Sequence, residues 1–176
     1  MNKNRYLLLI ILVVLLLTPT SAEESKTITT DGFQMSEIKD IIFQWKIENE
    51  EIHIILSAPT TGWIAVGFNP SRMMKDADIL IGYVKDGKVF MEDHFGAGYT
   101  KHKLDTDLGG TDDITVISGY EGEDKTTLEF SIPLHSWDSN DQKLEKGEEY
   151  KIIFAYGKKD DFKSYHKLRT SLIIRL

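Results

Sequence analysis

From Ile41 onward the chain runs in short stretches that alternate apolar and polar residues, separated by turn residues, with no amphipathic helical stretch of about ten residues. Period-two alternation sends successive side chains to opposite faces, so each stretch is a strand with one buried face. Ile41–Ile47 and Glu51–Ser57 flank Glu48-Asn-Glu50 as a hairpin, and Gly62–Phe68 is a third strand stopped by Asn69-Pro70. Asp78–Val84 and Lys88–Asp93 join through Lys85-Asp86-Gly87, where Asp-Gly tolerates positive φ. Ile114–Ser118, Thr126–Ile132, Tyr150–Tyr156 and Thr170–Leu176 complete the set. Strands without intervening helices cannot make parallel crossovers. The pattern therefore predicts an all-β fold, an antiparallel immunoglobulin-like β-sandwich of about nine to eleven strands.

The N-terminus reads as an address. Lys3 and Arg5 precede an unbroken apolar run from Tyr6 to Leu17, and Thr18-Pro-Thr-Ser-Ala22 supplies small residues for cleavage. That predicts a signal peptide over 1–22, a polar leader over 23–39 and one folded domain over 40–176. The apolar run is short for a membrane span, and an uncleaved N-terminal anchor is the alternative. No later segment has membrane-spanning length, so the mature protein is expected to be secreted, or tethered outside the membrane. Cleavage removes two of the 21 basic residues and none of the 28 acidic, taking the net charge from −7 to −9. An acidic chain without a basic run is a poor partner for nucleic acid. With no cysteine, disulfides, thiolate chemistry, iron–sulfur clusters and thioether-attached haem are all excluded.

Three stretches are too long for tight turns: Asn69–Ala77, Phe95–Asp113 and Gly157–Lys167. Loops of this length on a rigid sandwich commonly bind ligands. The first carries the adjacent Met73 and Met74. They either pack over the end of the sandwich or offer a thioether to haem iron or copper. The last carries Ser164-Tyr-His-Lys-Leu-Arg169, in which His166 is either a surface histidine or a ligand.

Gly62-Trp-Ile-Ala-Val-Gly-Phe68, a Met a few residues on, and Ala77-Asp-Ile-Leu-Ile-Gly-Tyr83 resemble the DOMON family. Thr127-Leu-Glu-Phe-Ser-Ile-Pro-Leu134 is similar to that family's later strand ending in Pro-Leu. The resemblance covers roughly residues 40–176. It implies a β-sandwich outside the cytoplasm that binds haem b or a sugar; the haem-binding members resemble the cytochrome domain of cellobiose dehydrogenase, with Met and His as axial ligands. Carried onto this sequence, the ligands would be Met74, with Met73 as alternate, and His166, with Lys167 as a lesser candidate. Arg169, Arg72 and Lys75 would be placed to neutralise propionates. The implied function is a b-type cytochrome passing single electrons to a separate redox partner protein, not an enzyme by itself.

Three other readings stand beside it. Trp63, Trp137, Tyr99 and Tyr120 could present an aromatic platform to a carbohydrate. His94 and His102, with Asp93 or Asp105, could ligate copper or zinc, although their spacing fits no recognised ligand pattern. Asp105, Asp107, Asp112 and Asp113 could hold calcium, without the EF-hand's loop pattern. No Gly-x-Ser-x-Gly elbow, phosphate loop or His-Glu-x-x-His helix is present.

Overall fold

The computed structural model describes residues 27–28 and 31–176. The expected signal peptide over 1–22 lies outside the described residues. Among the described residues twelve strands follow one another: β1 (Thr27–Ile28), β2 (Gln34–Ile38), β3 (Ile41–Glu48), β4 (Glu51–Ala58), β5 (Ile64–Phe68), β6 (Asp78–Lys85), β7 (Lys88–Gly98), β8 (Lys101–Leu104), β9 (Thr115–Glu121), β10 (Thr126–Pro133), β11 (Glu149–Tyr156) and β12 (Leu168–Arg175). One 3₁₀ turn, Asp105–Leu108, separates β8 from β9. Among the described residues, no helix is long and apolar enough to cross a membrane.

All pairings are antiparallel. The first sheet has the order β1-β2-β3-β4-β10-β9 and the second β12-β11-β5-β6-β7-β8. Three hairpins close through two-residue turns with both central residues at positive φ: Lys39-Asp40, Asn49-Glu50 and Asp86-Gly87. This geometry matches the right-handed twist of the flanking strands and locks their register. Between the sheets lies the main core, built from alternate residues such as Phe43, Trp45, Ile54, Phe68, Phe130 and Phe154. Phe43 stacks on Trp45 with ring centroids 5.1 Å apart and meets Phe154 of the other sheet at 5.3 Å. The expected antiparallel sandwich is therefore the observed fold.

Three details differ from the sequence reading. Gln34–Ile38, inside the stretch expected as a polar leader, forms β2 and pairs with β3. Lys101–Leu104, expected as loop, forms β8 on the edge of the second sheet. The strand begun at Lys88 continues to Gly98, because a register shift between Phe95 and Gly98 lets it bend and go on pairing.

The second sheet is buried on both sides at its centre. Ile64, Val66 and Phe68 of β5 face the core, yet Ala65 on the opposite face is also buried, as are Ile79 and Ile81 of β6. An outer face that is apolar and covered needs something lying over it, and two of the long loops do so.

Candidate ligand cleft

The covering loops are held by backbone contacts that only glycine permits. Residues 157–167 cross over Trp63: Trp63 N–H donates to the Lys159 carbonyl at 3.1 Å, and Gly157 N–H donates to the Trp63 carbonyl at 2.9 Å. A Cβ on Gly62 would fall 2.4 Å from Lys159 N, and one on Gly157 would fall 2.1 Å from the Trp63 indole nitrogen. The indole N–H donates to Ser164 Oγ at 3.0 Å, while Asp161 accepts from the backbone N–H groups of Lys163 and Ser164. Those two donors hold the Asp161 carboxyl below its ordinary range. Phe162 packs against Tyr83 of β6 at 4.9 Å. The histidine-bearing segment is thus clipped to the outer face of the second sheet.

The methionine-bearing loop is seated on the far end of β7. Met74 N–H donates to the Tyr99 carbonyl, Asp76 N–H to Gly96, Gly96 N–H to Ala77 and Ala77 N–H to Met74. Within the loop, Ser71 N–H donates to the Lys75 carbonyl, and Ser71 Oγ donates to the Asp76 carboxylate at 2.6 Å. That donation keeps the Asp76 carboxyl below its ordinary value. Met73 takes a left-handed φ of 56° and is exposed; Met74 is half-buried.

Between the two loops opens a cleft of about 890 Å³. Its floor is the outer face of the second sheet: Ala65 and Gly67 of β5, Ile79 and Ile81 of β6, Ile153 and Ala155 of β11. Trp63, Ala65, Ala77, Ile79 and Ile81 form an apolar cluster of their own, separate from the main core, against which Met74, Ile153, Ala155 and Phe162 pack. Met73 and Met74 line one part of the wall, and Ser164, Tyr165, His166 and Arg169 line another. His166 and Arg169 are exposed at the mouth. Lys39, Lys151 and Lys163 also line the cleft, giving it a basic rim on an acidic chain.

The residues singled out in the sequence divide accordingly. Met73, Met74, His166 and Arg169 come together. Lys167 does not line the cleft, and its ammonium lies 5.6 Å from the Tyr156 ring centroid. Arg72 rests over the Tyr99 ring at 5.0 Å and Lys75 pairs with Asp76 at 3.2 Å, so neither lines it. Of the four aromatics, Trp63 is buried in the floor and Tyr99 stands at the wall, half exposed. Trp137 and Tyr120 are exposed away from the cleft. His94 and His102 do meet, Nδ1 to Nδ1 at 2.9 Å, and His94 Nε2 reaches Glu92 at 2.8 Å. Asp93 alternates to the opposite face of β7 and takes no part. Burial, then His94, pushes His102 below the ordinary imidazole value. Lys39, Lys151 and Lys163 were missed in the sequence; His94 and His102 were named together, but with Asp93 or Asp105 where the structure puts Glu92. The shared parity of 92 and 94 on one strand was the signal for Glu92.

The donor set suits a haem. An apolar floor, a thioether, an imidazole and a cationic rim match a flat apolar macrocycle that carries iron and two carboxylates. Met74 or Met73 and His166 would hold the metal, and Arg169, Lys151 and Lys163 would meet the carboxylates.

The fold and the sequence both have relatives. The cytochrome b domain of pyranose dehydrogenase from Coprinopsis cinerea superposes with a TM-score of 0.62 at 11% identity, covering 85% of this chain and 86% of that one. The cytochrome domain of Myriococcum thermophilum cellobiose dehydrogenase does so with a TM-score of 0.61 at 12% identity, covering 86% and 88%. DBH-like monooxygenase protein 1 of Mus musculus is 30% identical over 127 residues, 70% of this chain and 20% of that protein. Its Homo sapiens counterpart is 28% identical over 116 residues, 66% and 18%. The match thus spans about a fifth of the length of these curated relatives. Residues 37–157 match the DOMON domain, a stretch containing the β5–β6 motif and most of the sandwich, and the chain belongs to the DOMON family.

Proposed function

We propose that this protein is an exported b-type cytochrome, binding haem b in the cleft and exchanging single electrons with a separate redox partner. The observation that carries the reading is the convergence of Met74 and His166, from loops far apart in sequence, on the walls of one apolar cleft. The likeness to two structures titled cytochrome domains supports it. When bound, the iron would supply a one-electron couple, and a thioether ligand favours its reduced state relative to two imidazoles. The chain's own residues do the rest. Ala65, Ile79, Ile81, Ile153 and Ala155 exclude water, and the cationic rim orients the carboxylates outward. Were Met74 and His166 both to hold the metal, the protein would offer no open position to oxygen or peroxide. The acidic surface would dock on a basic partner, at a rate that falls as salt rises. The name monooxygenase attaches to relatives of which this chain matches a fifth, and no oxygenase chemistry is proposed for the cleft.

Titration of the purified protein with haem tests this. The expected result is a saturable Soret band at one haem per chain with a six-coordinate spectrum. His166→Ala and Met74→Ala should each convert it to five-coordinate or weaken retention by about tenfold or more. A Met74→Ala spectrum like the wild type would move the ligand to Met73. Absence of any Soret band would remove the proposal, and binding of polysaccharide by the colourless protein would favour the carbohydrate reading.

A further inference from the structure

On the side of β6 and β7 opposite the cleft, five aspartates gather at one end of the sandwich. Asp78 of β6 and Asp93 of β7 project between the sheets. Asp105 comes from the 3₁₀ turn, and Asp138 and Asp141 from the segment between β10 and β11. Carboxylate oxygens of Asp78, Asp93 and Asp141 lie within 4.8 Å of one another, as do those of Asp105, Asp138 and Asp141, so Asp141 belongs to both groups.

A cluster of acids alone means little, but these are buried and incompletely paired. Asp78, Asp93 and Asp105 are 3%, 3% and 1% exposed. Asp78 Oδ1, Asp93 Oδ1 and both oxygens of Asp105 are enclosed with no hydrogen-bond partner. Buried polar atoms in native proteins are nearly always satisfied, and a carboxylate without a partner in such a place is expensive. The donors are few and uncharged: Asp113 N–H to Asp93 at 3.5 Å, Thr111 N–H and Oγ1 to Asp138 at 2.7 and 3.2 Å, Asn140 N–H to Asp138 at 2.8 Å, and the Ser136 side chain to Asp141. No lysine or arginine is paired with any of the five among the described residues. Gly110 brings its backbone against the nest, where a Cβ would fall 1.9 Å from Asp105 Oδ2. The missing side chain leaves room at the acids.

We propose that this nest binds Ca²⁺, centred on Asp141. The donors are all hard carboxylate oxygens, with no imidazole or sulfur among them, which selects Ca²⁺, Mg²⁺ or Mn²⁺ over zinc or copper. Two ligands of one Ca²⁺ at about 2.4 Å can be at most about 4.8 Å apart, and the oxygens of each trio lie within that limit of one another. Five acids from four separate segments form an irregular shell, which suits the variable coordination of Ca²⁺ better than the strict octahedron of Mg²⁺. A cation would fill the orphaned valences and tie β6, β7, the 3₁₀ turn and the segment before β11 together. The site is independent of the cleft and of any haem.

The haem-free, chelator-treated protein tests it directly, by calorimetric titration with CaCl₂ and by thermal melting. Saturable binding is expected, with Tm rising by roughly 5–10 °C at a free concentration about a hundred times Kd. Asp93→Asn and Asp141→Asn should each weaken binding at least tenfold, while Glu145→Gln, outside the nest, should not. Both Asn variants should melt no lower than wild type in chelator at pH 8, since each removes a buried charge; that shows they fold. No heat and no Tm shift with Ca²⁺, Mg²⁺ or Mn²⁺ would overturn the site and leave the nest neutralised by protons alone. Binding of Mg²⁺ or Mn²⁺ without Ca²⁺ would overturn the calcium assignment.

Discussion

Gly96 is the most exacting point in the seating of the methionine loop. It is buried on β7, and its φ is not left-handed, so the constraint is space and not backbone freedom. A Cβ there would lie 1.7 Å from the Met74 carbonyl oxygen and 3.0 Å from Ala77 N. Relieving that overlap requires a shift of about 1.5 Å in backbone that both partners hold by hydrogen bonds. The bonds at risk are Asp76 N–H to Gly96, Gly96 N–H to Ala77, Ala77 N–H to Met74 and Met74 N–H to Tyr99, at 2.8, 2.8, 3.1 and 3.3 Å. Losing two to four of them at about 1 kcal/mol each gives a cost of about 2–4 kcal/mol for Gly96→Ala. For a domain of this size that lowers Tm by roughly 5–15 °C. Gly98→Ala is the matched control, two residues along the same strand, where a Cβ would meet only Lys101 Cβ at 3.9 Å. Differential scanning calorimetry of both variants decides the matter. A Gly96→Ala melting point within about 2 °C of Gly98→Ala would refute the tight seating. If the seating is right, Gly96→Ala should also retain less haem than Gly98→Ala at equal protein.

Trp63→Phe should remove the bond to Ser164 Oγ, lower stability by about 1 kcal/mol in urea melts, and loosen haem retention through the His166 segment. Ala155→Trp should fill the cleft from its floor and block the Soret band while leaving Tm within a few degrees, since Ala155 faces away from the core. In chelator, stability should fall as pH rises from about 4 to about 8. Burial raises Asp93 to about 8 and Asp141 to about 7, with neighbouring aspartates adding to both. The folded protein therefore holds protons that the unfolded chain has released at about pH 4, and that advantage disappears as the folded groups titrate. Urea midpoints at pH 5 and pH 8 measure it, and a higher midpoint at pH 8 would contradict the burial.

How far the sequence could be read depended on whether the relevant pattern was local. Alternation located the core strands, and Asp86-Gly87 located its turn, because both signals lie within a few residues. β2 escaped because Gln34-Met-Ser-Glu-Ile38 carries only two apolar residues, and β8 because Lys101-His-Lys-Leu104 looks like a charged loop. Met74 and His166 were named through family resemblance, and nothing local could have said that they share a cavity. The cleft floor left a trace that went unused: β5 and β6 are near-continuously apolar where a one-sided strand would alternate. The acidic nest left almost none. Asp105 was singled out beside Asp107, Asp112 and Asp113, but Asp107 is exposed, and the groups that join Asp105 come from distant segments.

The pairing of β6 with β7 makes one thin partition serve two rooms. Ile79 faces the cleft while Asp78 and Leu80 face inward, and His94 faces the cleft's side while Asp93 faces the nest. One ladder of peptide bonds therefore sets the geometry on both sides. A substitution that spreads these two strands cannot alter one chamber alone, and engineering either of them has to treat the ladder as fixed.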